Sequence, residues 1–488
     1  MLPPHSYTVS ALGVKSAELR DTVELQDQQQ RVADRMRGGD SRLLVYHGLG
    51  SGKSLAALAA AESLGGNYGV VTPAALKGNY QTEIAKFTKN VKPQLLSYTG
   101  VGRGRRFAEN PDTAIFDEAH RLRNSTSASA LAAQELGRNS KNMLLLTGTP
   151  IPNQPSDLAS LLGLLNNTRI TPEQFNERYV GRRTTHPTWL SYLTGGVDED
   201  YVKNEPELRK KLQGHVDYHP GKLPEGVTIT DETVKVPLSS QQVKVENAVR
   251  GRRPWLSFLE GDSGLDLSSE RLKRLRPFLT GLRQASLSTL PFLAGKDALR
   301  AFSESGKLQQ AFSDLKGELA EDPKKKALIY SNSIVAGVIP YAAALQKAKI
   351  PFGVLHGSIP EKEWGKSLQD YNANKLRVLL MGPAAAEGIS AKGTTMIQML
   401  DPHWHESRSS QAVGRGLRFD SHEGLPEKLR QIKIKRYLST HAEPSWLQYL
   451  LGKQRQPTAD EALSELSMKK EKQNELFRQI LRDEGSVK

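Results

Sequence analysis

Residues 42–54 read Arg42-Leu-Leu-Val-Tyr-His-Gly-Leu-Gly-Ser-Gly-Lys-Ser54. An apolar strand runs into a glycine-rich turn, and residues 54–64 continue as an alanine- and leucine-rich helix ended by Gly65-Gly66. Gly48, Gly50 and Gly52 carry no Cβ, so the backbone can curl with its N–H groups aimed at one cluster of oxygens. The following helix adds the positive end of its dipole at the same point. With Ser51 in the turn, Lys53 is placed to reach the β- and γ-phosphates of a nucleotide, and the Ser54 hydroxyl to ligate Mg²⁺. The strict pattern G-x-x-x-x-G-K-[ST] has glycine where His47 stands, and the strand–turn–helix setting compensates.

Outward from this stretch, β and α signals alternate. Upstream, residues 25–36 read as a helix that delivers glutamines just ahead of the loop. Downstream, Tyr68–Thr72, 113–116 and 142–146 read as strands, and 74–87 and 127–136 as helices. Such alternation predicts right-handed βαβ crossovers and a parallel sheet with helices on both faces. Functional loops then fall at the carboxyl ends of the strands. Between 151 and 300 the pattern is irregular: 194–200 reads as a loop, and 265–282 as a basic helix interrupted by Pro277. Alternation resumes at 326–331, with further strands at Phe352–Leu355, 377–381, 396–400 and 432–437. Gly365-Lys-Ser367 imitates a phosphate loop, but it lies inside a helical stretch, 360–371, with Pro360 at the leading-glycine position. The expected fold class is α/β: two tandem parallel-sheet domains with a helical connecting region and a helical C-terminal tail. The expected division is an arm at 1–20, a first core at 21–235, a helical connector at 236–300, a second core at 301–445, and a tail at 446–488 that braces the second core.

The chain of 488 residues carries a formal charge of +14, which favours a polyanionic partner. Basic clusters stand at Arg103–Arg106, Arg250–Arg253, Arg271–Arg276, Lys324–Lys326 and Lys433–Arg436. The absence of cysteine excludes disulfides, thiolate zinc sites and cysteine nucleophiles. With no apolar run of membrane-spanning length and no signal pattern at the N-terminus, a soluble intracellular chain is expected.

Asp117-Glu-Ala-His120 follows an apolar strand, and two adjacent carboxylates at a strand end suit nucleotide hydrolysis. One holds Mg²⁺, directly or through water, while the next orients the attacking water. Met143-Leu-Leu-Leu-Thr-Gly-Thr-Pro150 ends a strand in Thr147 and Thr149, hydroxyls suited to sensing a γ-phosphate. Gln411-Ala-Val-Gly-Arg-Gly-Leu-Arg418 puts Arg415 and Arg418 on one face if helical, fit to neutralise charge on a transferred phosphoryl. His403-Trp-His405 lacks further ligands nearby and reads as packing rather than metal binding. Gly100-Val-Gly-Arg-Gly-Arg-Arg106 is either a clasp on a nucleic-acid backbone or a mobile basic loop.

In this order, the phosphate loop, Asp117–His120 (a DEAH-box element), Thr147–Pro150 and Gln411–Arg418 resemble motifs I, II, III and VI of superfamily-two helicases. Within them the chain looks most like the Swi/Snf-type DNA translocases, with Val70–Leu76 and Asn79–Gln81 similar to motif Ia. Ala384–Ser390, Leu400–Trp404 and Arg418–His422 look like the nucleoside triphosphatases of large DNA viruses, which act in viral transcription. The resemblance implies two RecA-like domains with ATP and Mg²⁺ in the cleft between them. It implies that Gln29 reads adenine, that Lys53, Ser54 and Asp117 hold phosphate and Mg²⁺, and that Glu118 activates water. It further implies Gly388 and Gln411 at the nucleotide, and Arg415 and Arg418 as arginine fingers. The implied activity is a nucleic-acid-dependent ATPase that translocates on DNA as a monomeric motor, gripping phosphates, with transcription or replication proteins as partners. A strand-separating DNA or RNA helicase and an ATP-switched clamp are the alternatives.

Overall fold

The computed structural model describes residues 23–48, 50–88, 94–185, 197–221, 226–251, 280–293, 295–386, 391–402, 421–422, 424–443 and 457–486. The chain divides into two units, 1–222 with 469–488, and 223–468. In the first unit, β1 (Arg42–His47), β2 (Tyr68–Thr72), β3 (Gln94–Ser97), β4 (Thr113–Asp117) and β5 (Asn142–Thr147) lie in one sheet. After a separate antiparallel ribbon of β6 (Val180–Thr185) and β7 (Val197–Val202), β8 (Val216–His219) joins that sheet as an edge strand. The order is β3-β2-β4-β5-β1-β8, with every neighbour parallel.

Alternate side chains of β1 point to opposite faces. Leu43 and Val45 enter a core with α1 (Asp27–Arg37) and α2 (Lys53–Leu64). Leu44 and Tyr46 enter the core on the other face, with the helix Leu158–Leu165. Burial on both faces explains why β1, β4 and β5 read as continuous apolar runs.

The second unit repeats the plan. β9 (Thr228–Pro237), β10 (Ala327–Tyr330), β11 (Phe352–Leu355), β12 (Val378–Met381), β13 (Met396–Met399) and β14 (Gln431–Thr440) form a sheet in the order β11-β12-β10-β13-β14-β9. All of its neighbours are parallel. Gly365–Ser367 lies within the helix Glu361–Asn372, as the proline in front of it predicted.

Three expectations are corrected. The first core does not run to 235, because β9 pairs with β14 over its whole length. The connector is part of the second unit: the Gln242 amide donates to Ala285 O and Ser286 O at 3.1 and 3.0 Å. Residues 197–200, read as loop, are strand β7; cross-strand pairs Arg182–Asp200 and Arg183–Glu199 give its acidic run partners. Most of the basic stretch 265–282 and the N-terminal arm lie outside the described residues.

The tail is one helix, Ala459–Gly485, but it does not serve the second core alone. At its start Asp460 is buried against Lys307 and accepts from Ser439 N at 2.9 Å, inside the second unit. From Lys469 onward it belongs to the first unit. There Phe477, Ile480 and Leu481 enter the core, Asn474 donates to Asn153 O at 3.2 Å, and Arg478 donates to Ile151 O at 3.1 Å. Arg209 fastens the far end through Asp483 and Glu484. No described helix is long and apolar enough to cross a membrane.

Phe477→Ala removes a fully buried ring 5.8 Å from that of Phe175. Denaturant unfolding of the first unit should show a loss of about 3–5 kcal/mol. A loss under about 1 kcal/mol would mean the helix is not a core element of that unit.

Candidate active site

The strand order β4-β5-β1 sets three carboxyl ends side by side, carrying Asp117, Thr147 and His47. The loop after β1 is closely backed. A Cβ on Gly48 would lie 2.0 Å from Pro220 O, so only glycine lets the two backbones meet there. Gly52 has φ 70° and caps α2, and a Cβ there would strike the Gln29 amide at 2.2 Å. Gln28 and Gln29 both donate to Ser51 O at 3.2 Å, and Ser51 Oγ donates to Gly48 O at 2.9 Å. Gln29 thus holds the loop as well as standing beside it. Lys53 Nζ rests on His47 O and Gly48 O at 3.0 and 3.1 Å, on the first turn of α2.

Asp117 ends β4 nearly buried. Its Oδ2 accepts from Thr72 Oγ1 and its Oδ1 from Glu118 N, each at 3.0 Å, while Tyr98 Oη donates to its carbonyl at 2.6 Å. Burial, reinforced by the Glu118 charge, pushes its carboxyl up to about 7, although Thr72 and Lys53 pull the other way. Glu118 sits at φ 50°, ψ 50°, a left-handed conformation that a glutamate adopts at a cost of about 1 kcal/mol or more. Its Oε2 is 3.4 Å from His120 Nδ1, which also meets Thr147 Oγ1 at 3.1 Å and Thr149 Oγ1 at 3.5 Å. Thr147 Oγ1 in turn accepts from Thr149 N at 3.0 Å. Burial lowers the His120 imidazole below its usual range. Gly148 stands against the same loop: a Cβ there would lie 3.2 Å from His47 O and 3.6 Å from Lys53 Nζ. The two threonines therefore connect β5 to the acidic pair through His120.

These residues fit a magnesium nucleotide. Lys53 and the amino end of α2 suit phosphate. A carboxyl raised by burial and a neighbouring charge would be relieved by a divalent cation, for which Ser54, on the first turn of α2, would be the second oxygen donor. Sequence reading missed Thr72 and Tyr98. Thr72 was findable, since it ends the strand next to Asp117; Tyr98 was not, because it opens a five-residue helix that follows directly on edge strand β3. Gly388, His403, His405, Gln411, Arg415 and Arg418 lie outside the described residues.

Residues 107–216 match the SNF2-related domain, and residues 310–420 the helicase conserved C-terminal domain. A protein of Acanthamoeba polyphaga mimivirus, named as an ATP-dependent RNA helicase, is 24% identical over 95% of this chain and 98% of its own length. A termination factor NPH-I homolog of African swine fever virus is 23% identical over 90% of this chain and 75% of its own. Nucleoside triphosphatase I of Amsacta moorei entomopoxvirus is 38% identical over 63 residues, 13% of this chain and 10% of its own. Among solved structures, the Sulfolobus solfataricus SWI2/SNF2 ATPase core in complex with dsDNA covers 96% of this chain and 98% of its own, at 18% identity and a TM-score of 0.37.

The Asp117 carboxyl gives a pH signature. A raised folded-state value means that the folded protein holds a proton the unfolded chain has lost, so this group lowers stability as pH rises from its unfolded value towards 7. Asp117→Asn keeps the shape without the charge: its amide oxygen still accepts from Glu118 N, while its NH2 donates to Thr72 Oγ1, reversing that bond. Without nucleotide and metal it should stabilise the protein at pH 8 by roughly 1–3 kcal/mol and much less near pH 4.5, in paired thermal melts. Equal effects at both pH values would contradict a buried, proton-holding Asp117.

Proposed function

We propose that this chain, a superfamily-two ATPase of the Snf2 type related to the nucleoside triphosphatases of large DNA viruses, is a motor that couples ATP hydrolysis to movement along DNA. The observation that carries the reading is that Lys53, on the first turn of α2, rests on the loop after β1, beside the strand ends that carry Asp117, Glu118 and Thr147. Lys53 takes the β- and γ-phosphates once it leaves the loop carbonyls. Asp117 and Ser54 hold Mg²⁺, which supplies charge neutralisation on the phosphates. Glu118 accepts the proton of the attacking water, and His120 sets the direction of its carboxylate. Gln29 reads the adenine and Gln411 binds the nucleotide, while Arg415 and Arg418 neutralise the phosphoryl group in flight, and Gly388 links nucleotide to nucleic acid.

The His120–Thr147–Thr149 chain supports coupling: a change at the acidic pair reaches the turn after β5 through one imidazole. The formal charge of +14 supports a polyanionic track held through its phosphates. Strand separation is the second reading, favoured by the mimiviral relative named as an RNA helicase.

Hydrolysis should rise severalfold with duplex DNA, less with single-stranded DNA or RNA, and the stimulation should fade with salt. Glu118→Gln should lose on the order of a hundredfold or more in turnover while still binding nucleotide. Stimulation by RNA alone would favour the helicase, and stimulation by none of the three would end the motor reading.

A further inference from the structure

Behind the phosphate loop lies a buried ionic cluster that the hydrolytic chemistry does not use. Asp217, on edge strand β8, is buried, with its side chain 1% exposed. Arg31 of α1 grips it with both arms of its guanidinium: Nε to Oδ2 and Nη2 to Oδ1, each at 2.8 Å, and Nη2 also reaches Tyr218 O at 3.0 Å. His47, the last residue of β1, places Nε2 2.6 Å from Asp217 Oδ1 with its ring fully buried. One helical turn beyond Arg31, Arg35 donates to Val216 O and to Gly214 O, the latter at 2.7 Å.

The register explains how one carboxylate reaches both partners. β1 and β8 are parallel, with His47 opposite His219, so Asp217 sits two residues back on the same face. Strand β8 then continues into the contact that backs the loop: Gly48 N donates to His219 O at 2.8 Å, and Pro220 O fills the space over Gly48. Helix α1, tied to Asp217 from the other side, carries Gln28 and Gln29 onto Ser51 O. The two ends of the phosphate loop are thus held by elements that meet at one carboxylate.

Charge and protonation are consistent along the cluster. Burial lowers the His47 imidazole below its ordinary range, against the pull of Asp217, while its partners hold the Asp217 carboxyl down to about 2. Arg35 also stands 3.5 Å from Asp217 Oδ2 and is paired with Asp40 at 2.8 Å, so a neutral His47 donating from Nε2, the two guanidinium groups and the two carboxylates sum to zero. His47 Nδ1 has no hydrogen-bond partner. The position the strict loop pattern gives to glycine is therefore occupied by a side chain with its own anchor.

We infer that Asp217 is a positioning residue for nucleotide binding, fixing α1 and the start of the phosphate loop against each other so that the Gln29 helix and Lys53 meet the nucleotide at a set spacing. This rests on the nucleotide reading above. Its parts are about 170 residues apart in the chain, Asp217 touching His47 across 170 and Arg31 across 186.

The test is ATP hydrolysis and direct titration of a fluorescent ATP analogue on the full chain, for wild type, Asp217→Asn, Arg31→Gln and the double variant. Each single variant should raise KM for ATP and the Kd of the analogue by about tenfold, with kcat at saturating ATP within about twofold. The double variant, which leaves no buried unpaired charge, should fall well short of the product of the single effects. Arg31→Lys, which keeps the charge and loses the fork, should give an intermediate KM and serves if the harsher variants fold poorly. A fall in kcat at unchanged KM would reduce Asp217 to scaffolding and overturn the inference, as would unchanged affinity in Arg31→Lys and Asp217→Asn. Failure of the wild-type protein to bind the analogue would instead sink the nucleotide reading, and this inference with it.

Discussion

A loop that offers bare backbone to phosphate has almost no side chains with which to hold itself. Everything around it must do the holding, and the first unit is arranged to that end. Two glutamine amides converge on Ser51 O, Pro220 presses on Gly48, and Lys53 rests on two loop carbonyls. Each hydrogen bond contributes only about 1 kcal/mol net. Their sum is what gives a glycine-rich turn one shape. The edge strand β8 adds little apolar surface, yet through Asp217 it ties the helix before the loop to the strand that feeds it.

The acidic pair shows the opposite economy. Asp117 is placed where its charge is unwelcome, and Glu118 where its backbone is strained. Both features cost stability, and both are offset by the apolar strands around them. Sites of this kind are bound to be less stable than the scaffold could make them, because a carboxylate content in its protein setting has little to gain from a metal ion. His120 carries the linkage onwards: buried and lowered, its Nδ1 meets the hydroxyls of Thr147 and Thr149 and stands 3.4 Å from the Glu118 carboxylate.

Where function and periodicity coincide, the sequence could be read directly. Strands buried on both faces show as runs such as Leu144-Leu-Leu146, and glycine spacing announces the phosphate loop. The paired parallel sheets and the cluster of Lys53, Asp117, Glu118 and Thr147 followed from those signals. What stayed hidden was polar by necessity. Val216-Asp-Tyr-His219 does not look like a strand because its aspartate serves the cluster with Arg31 and His47 rather than the core. Strand β9 lies on an edge, mostly exposed, and its polar Asp231-Glu232 carries no strand signal, although Arg436 faces Asp231 across the pair of strands. The tail's allegiance to the first unit was illegible for another reason. An amphipathic helix shows that it has an apolar face but not what that face meets.

That allegiance bears on the order of events during synthesis. When the ribosome has released residues 1–222, the first sheet is complete in its strands, yet the surface that takes Phe477, Ile480 and Leu481 has nothing to cover it. It stays uncovered while some 250 further residues emerge, at about 5–20 residues per second. The later half of the chain can therefore mature before the earlier half is sealed. Until its last residues arrive, the nascent chain lacks the ring and the two aliphatic side chains that complete the core of its first unit.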